Sequence, residues 1–175
     1  MKSIYFILSL VFSILLVNAQ EPVKKSKKEL KAEKAELQKD AVKKLVESKS
    51  FVFNARTAFS ATAGNVTISY PYNVKLDKDS IHSYLPYYGR AYTVEYGTND
   101  SPMVFNLPLQ EMEIIKEKRK GYRVNVKVKK GMDNILFSFS ISETGSTTLT
   151  VNSTNRQVIT YYGDIVAKEE TDDSL

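Results

Sequence analysis

The chain has no cysteine and a single histidine, His82, among its 175 residues. Without a thiol there can be no disulfide, no thiol nucleophile and no thiolate metal site. A lipid anchor of the bacterial lipoprotein kind is excluded as well, because that lipid is carried on a cysteine. A metal site would need histidines, cysteines or clustered carboxylates. Asp77 and Asp79 stand close together, but outside any calcium-loop pattern. Ser80 and Ser83 flank His82, with those two aspartates upstream, yet no G-x-S-x-G elbow presents either serine as a nucleophile. The seven glycines sit singly at turns, so no phosphate-cradling loop is present. The expectation is a protein that is not an enzyme and carries no cofactor or metal.

Long apolar runs are scarce too. One spans Ile4 to Val17, behind Lys2 and ahead of Val17-Asn18-Ala19. A lysine, about a dozen apolar residues and a V-x-A site make a secretory signal peptide, whereas a membrane span needs about 20 apolar residues. The expected product is periplasmic or secreted after cleavage following Ala19. Lack of disulfides in so small an exported domain favours a bacterial periplasm or envelope. The expected division is 1–19 signal peptide, 20–34 charged leader and start of a helix, 35–167 a single domain, and 168–175 a disordered acidic tail.

Charge is modest, at +5, and much of it arises in residues 21–50, where ten lysines face six acids. A basic patch suits nucleic acid or anionic lipid; export argues against nucleic acid. The lysine run reads as a solvated helix face, or, more sharply, as a contact with a membrane surface.

What is present is one helical stretch followed by alternation. Ser26 to Ser48 is rich in Lys, Glu, Ala, Leu and Gln, with Ser26 and Glu29 placed for a capping box. Leu37, Ala41 and Leu45 form its apolar stripe, widened by Val42 and Val46. After Ser50 the period becomes two. Phe51, Phe53, Ala55 and Thr57 share a face. Val66 to Leu76 reads as one strand, with Pro71 marking an edge or bulge. Tyr92, Val94 and Tyr96 begin another strand, and Gly97 to Asp100 turns. Met103 to Leu107 comes next, then Gln110 to Lys118, read as a strand though a short helix is open. Tyr122 to Val128, Ile135 to Ile141, Leu149 to Val151 and Val158 to Val166 complete the set, the last broken at Gly163.

The fold class is therefore α+β: an N-terminal amphipathic helix packed on a strongly curved antiparallel sheet, a meander of about eight strands shaped as a half-barrel or barrel. The helix is too small to cover so many apolar strand faces, so the sheet must curl on itself. The curl either encloses a small apolar ligand or is filled by side chains.

Between the alternating runs lies Tyr84-Leu85-Pro86-Tyr87-Tyr88-Gly89-Arg90-Ala91. It resembles the YLPYxGRA signature of the DUF4251 family, a domain of unknown function found in exported proteins of Bacteroidetes. Ser142-Glu143-Thr144-Gly145, Leu149-Thr150-Val151, Asn155-Arg156-Gln157-Val158-Ile159 and Tyr161-Tyr162-Gly163-Asp164-Ile165 extend the resemblance over residues 35 to 167. It implies an envelope location and a helix-plus-sheet domain, with a lipid-binding role suggested by analogy of fold and no catalytic residue to carry over.

Pro86 holds Leu85 extended, and Gly89 is placed for the positive φ of a tight turn. The candidate ligand-binding residues are Tyr84, Tyr87, Tyr88, Arg90, Arg156 and Tyr161. Arginine beside aromatic rings can stack on them and also bind a carboxylate or phosphate, so this set would rim a pocket for a hydrophobic or anionic amphipathic ligand. The alternative is structural: the arginine fixes a turn through backbone carbonyls and the tyrosines seal the core.

Overall fold

The computed structural model describes residues 26–69, 71–92, 103–118 and 121–168. The signal peptide, residues 20–25 of the leader, Tyr70, the strand and turn expected over residues 93–100, and residues 169–175 of the tail lie outside them. The chain divides into two compact units, the second beginning at Ala35.

Helix α1 (Lys27–Glu47) starts on the capping box read in the sequence. Ser26 N donates to Glu29 Oε2 at 2.8 Å, and Glu29 N donates to Ser26 Oγ at 3.2 Å, which satisfies two amides that have no partner within the helix. In the second unit, the buried side of α1 is Val42 and Val46, with Leu45 packed against the core. Leu37 is 65% exposed and Ala41 is exposed, so the stripe is rotated from the Leu37-Ala41-Leu45 line. The reason is where the helix lies: Val42 packs beside Gly145 and Ile165. Lys49 then takes a left-handed φ of 58° and the chain enters the sheet.

The sheet is built from ten strands: β1 (Phe51–Ser60), β2 (Gly64–Thr67), β3 (Asn73–Leu76), β4 (Ser80–Tyr84), β5 (Val104–Pro108), β6 (Glu111–Glu117), β7 (Gly121–Lys130), β8 (Asp133–Ile141), β9 (Ser146–Ser153) and β10 (Arg156–Val166). All described pairings are antiparallel, in the order β5-β4-β3-β1-β10-β9-β8-β7-β6, with β2 also on β1. The fold is α+β, a curled half-barrel. Its curl brings Phe105 of β5, on one sheet edge, edge-on to Phe137 of β8 at 6.1 Å, with Lys130 Nζ over the Phe105 ring at 5.4 Å.

The strand count exceeds the eight expected partly because Val66 to Leu76 is two strands. Both run along β1 on the same edge: Ile68 N donates to Arg56 O, and Ala55 N to Tyr72 O, each at 2.9 Å. The break carries Pro71, which has no N–H to give a ladder. It sits opposite a bulge in β1, where the register with β10 shifts between Ala55 and Thr57. The extra residue, Arg56, pairs with Asp164. The bulge also reverses the face presented by the second half of β1. Phe51, Phe53 and Ala55 point inward as expected, but then Ala58 and Ser60 are buried and Thr57 is not.

β10 is not broken at Gly163. It runs through to Val166, and the glycine is there for proximity, since a Cβ would stand 1.9 Å from the backbone oxygen of Asn54. Gln110 to Lys118 resolves as strand β6, with Met112 and Ile114 packed against the core. β7, β8 and β9 alternate as read, one face buried and the other turned to solvent. The concave side holds Phe51, Phe53, Phe137, Phe139, Leu149 and Tyr161, all nearly inaccessible. Phe139 meets Phe51 edge-on at 5.5 Å, a geometry worth about 0.5–1.5 kcal/mol beyond area burial.

Candidate functional site

The signature stretch is a strap, sewn by hydrogen bonds to the start of β10. Leu85 is buried, and its N–H donates to Met103 O at 3.3 Å. Tyr161, buried on the concave face of β10, donates its hydroxyl to Pro86 O at 2.7 Å. The Tyr87 hydroxyl lies 2.9 Å from Arg90 O and 2.8 Å from Gln157 O, so one hydrogen is shared between two carbonyls. Ser60 Oγ donates to Tyr88 O at 3.0 Å and accepts from Ala63 N at 3.0 Å.

Beyond Gly89 the strap pairs as a short strand. Gln157 N donates to Arg90 O at 2.9 Å and Tyr92 N to Asn155 O at 2.8 Å, around an antiparallel bridge between Ala91 and Arg156. Gln157 Oε1 accepts from Arg90 N at 3.2 Å and from Thr62 Oγ1 at 2.8 Å. Gly89 does not adopt the positive φ expected of it. Its lack of a side chain matters for another reason: a Cβ would lie 2.4 Å from the Tyr87 hydroxyl, so any larger residue displaces the ring that makes the clasp.

Burial pushes the phenols of Tyr87 and Tyr161 up from their ordinary range. For Tyr87 the nearby Arg156 works in the opposite direction. Both therefore stay protonated, as donors to carbonyls must.

Arg156 has a different duty. Its Nη1 donates to Asp133 Oδ2 at 2.6 Å. Asp133 is only 3% exposed and accepts also from Ser153 Oγ at 2.8 Å, Thr154 Oγ1 at 3.0 Å and Asn155 N at 3.3 Å. The carboxylate ties the β7–β8 turn to the β9–β10 turn. In the sequence Asp133 falls between the runs Tyr122 to Val128 and Ile135 to Ile141, where a turn is expected. The signal that it is buried was its parity, for it stands in phase with Ile135, Phe137 and Phe139.

Of the six candidate residues, Tyr87, Tyr88, Arg90, Arg156 and Tyr161 belong to this one end of the sheet. Tyr84 does not. It is half-buried on the outer face of β4, its ring 5.1 Å from that of Tyr72. Arg90 is exposed; among the described residues its guanidinium meets no acceptor, and the contacts that hold it are made by its backbone. The arrangement is one of donors and acceptors spent on each other. Elsewhere, alternation sets His82 outward while Ser83 is buried, its Oγ donating to Met103 O at 2.7 Å, so these two cannot act as base and nucleophile. Asp77 is engaged with Ser50 at 3.0 Å and with Lys168 at 2.9 Å. Among the described residues no three of His, Cys, Asp and Glu are grouped to hold a metal.

A crystal structure of a DUF4251 family protein from Bacteroides eggerthii DSM 20697 shares the fold, with a TM-score of 0.54 at 12% identity over 75% of this chain and 88% of that one. No curated protein matches the sequence. Residues 33–165 match the family described as Domain of unknown function (DUF4251). With that match covering most of the sequence, both signature segments included, the chain belongs to the DUF4251 family.

Proposed function

We propose that the chain is an exported, non-catalytic module of the cell envelope that works through its outer surface, as a structural or interaction domain, rather than by enclosing a lipid-like ligand. The observation that carries this is the occupied concave face. The space a drug-sized ligand would need, about 300–1,000 Å³, is taken at the centre of the sheet by Phe51, Phe53, Phe137, Phe139, Leu149 and Tyr161. The hydroxyls that would greet an amphipathic head group at the strap are engaged with Pro86, Arg90 and Gln157 carbonyls. Export rests on residues 1–19. A non-catalytic role is favoured by the separation of His82 from Ser83 across the sheet, and, for Ser80 on the same face as His82, by the engagement of the upstream Asp77 with Ser50 and Lys168.

The test is native mass spectrometry, with lipid extraction, on protein expressed with its own leader and purified from the periplasm. The expected result is the bare mass of the chain, with no shift on adding fatty acids or phospholipids. A lipid that co-purifies at one per chain and raises the melting temperature would restore the enclosed-ligand reading.

A further inference from the structure

We propose that the outer face of β7, β8 and β9 is a binding groove for a neutral glycan chain. The inference rests on the reading that this protein acts through its outer surface, and it supplies the ligand class. Two open depressions of about 340 and 370 Å³ share Leu136 in their lining. Together they track β8 from Asn134 to Ser140, six residue steps or about 20 Å of strand. Leu136, Ser138 and Ser140 form the floor, Asn125 stands on the β7 side, and Thr148 and Thr150 form the β9 wall.

The chemistry of this groove is hydroxyl and amide. Such groups both donate and accept, as sugar hydroxyls do. Lys127 pairs with Glu111 at 2.7 Å and Arg123 with Glu117 at 2.6 Å, while Lys129, opposite Asn134, and Glu113 add one charge of each sign. The face therefore carries no net charge, and its electrostatic match is to an uncharged polymer rather than to a nucleic acid or an anionic lipid. Ser138 Oγ donates to Asn125 Oδ1 at 3.0 Å, and Asn125 Nδ2 donates to Glu113 Oε2 at 3.2 Å. That relay fixes Ser138 and Asn125 on each other, and the groups it leaves to meet a ligand are the hydroxyls of Ser140, Thr148 and Thr150.

Apolar surface suited to the C–H faces of sugar rings is also present. Leu136 supplies it in the floor. Tyr162 lies directly opposite Thr148 and is 45% exposed, and Phe59 on the neighbouring strand is 42% exposed. Phe59 pairs with Thr160, two residues from Tyr162, so the rings are diagonal neighbours on this face. Their exposed ring faces can stack on the C–H faces of a sugar ring. An extended peptide is a poorer occupant, because strand addition needs a free edge, and β8 is paired on both sides.

The experiment is affinity electrophoresis and calorimetry of the whole mature chain. The probes are neutral glycans: a hexamer of β-1,4-linked N-acetylglucosamine, a soluble β-glucan and a mannan. The variants are Thr150→Arg in the groove wall, Tyr162→Ala beside it, and Thr67→Arg as a control on β2, outside the groove. All three positions face outward, so melting temperatures identify any variant that fails to fold. At least one neutral glycan is expected to bind, with affinity falling about tenfold in Thr150→Arg, about threefold in Tyr162→Ala and not at all in Thr67→Arg. The proposal is overturned if none of the three glycans binds at millimolar concentration, or if Thr150→Arg and Thr67→Arg behave alike. Failure here would leave the lipid-free mass expected above unaffected, and a lipid found there would not by itself abolish binding in this groove, so the two readings fail separately.

Discussion

The central strands of the sheet end in two places, and the two ends are closed by different means. Where β8 turns into β9, around Glu143 to Gly145, the cover is a helix. Val42 and Val46 press into the core, while Gln38 reaches Thr144 O at 2.7 Å and Lys39 meets Glu143 at 3.2 Å. Where β9 turns into β10, the cover is the strap, held by phenol hydroxyls on carbonyls and by the Asp133–Arg156 knot. Burial of apolar surface is non-directional, so many residue choices satisfy the first end. Hydrogen bonds to fixed carbonyls are directional, and few side chains reach them with the right length. That is a physical reason for a motif as particular as Tyr-Leu-Pro-Tyr-Tyr-Gly-Arg-Ala at this end.

The comparison breaks most visibly at Asp133. Asp133→Ala leaves Arg156 half-buried without its partner and strands Ser153 and Thr154, which should cost about 3–5 kcal/mol in urea-unfolding free energy. At the other end, Val46→Ala removes two fully buried methyls and leaves a cavity. A loss of about 2 kcal/mol is expected; a cost matching that of Asp133→Ala would show that the two ends are held equally.

Tyr161→Phe keeps the ring but removes the donor to Pro86 O, for about 1–2 kcal/mol. This strap end should also be alkali-labile. Phenols whose folded-state pKa is raised contribute stability that is complete below the unfolded value of about 10 and is lost as pH rises above it. Tyr161→Phe should therefore flatten the alkaline limb of a melting-temperature profile, and a limb unchanged by the substitution would reject the assignment.

Asp77 makes the opposite, smaller case. Its bond to Lys168 holds its carboxyl below the ordinary range, against some opposing burial, with Ser50 assisting. That contribution is present above the unfolded pKa of about 3.9 and disappears as pH falls through the folded value. The pair is substantially exposed, so Asp77→Asn should cost under about 0.5 kcal/mol at neutral pH. The difference from the parent should vanish in acid.

The helix cap and the strands β7, β8 and β9 were legible because each depends on local pattern: Ser26 with Glu29, and strict alternation from Tyr122 to Val151. Four features were not. The Arg56 bulge changes parity in mid-strand, and the residues on either side look alike in hydropathy. Val42 and Val46 were legible as part of the stripe, but that they carry it in place of Leu37 and Ala41 depends on what they face, which the fold decides. Asp133 opens β8 directly after a turn, where an aspartate is ordinarily solvated. Tyr84 lies in the signature yet belongs to β4, whose period of two sends it away from Tyr87 and Tyr161. The strap was legible as a feature, and its tyrosine-sealed character was one of two readings; choosing between them required the positions of Pro86 O and Gln157 O.

The spans of these contacts also set an order in time. Arg156 joins Asp133 across 23 residues of a continuous meander, whereas Tyr161 finds Pro86 across 75. Closing the longer loop costs about 1 kcal/mol more in chain entropy, and the strap's partners, the Tyr161 hydroxyl and the carbonyls of Gln157 and Asn155, are not in place until β10 has paired. The strap should therefore dock last, onto a finished hairpin, and open first. In pulsed hydrogen exchange the amides of Arg90 and Tyr92 should gain protection after those of β8 and β9; protection arriving together would mean that both ends close in one step.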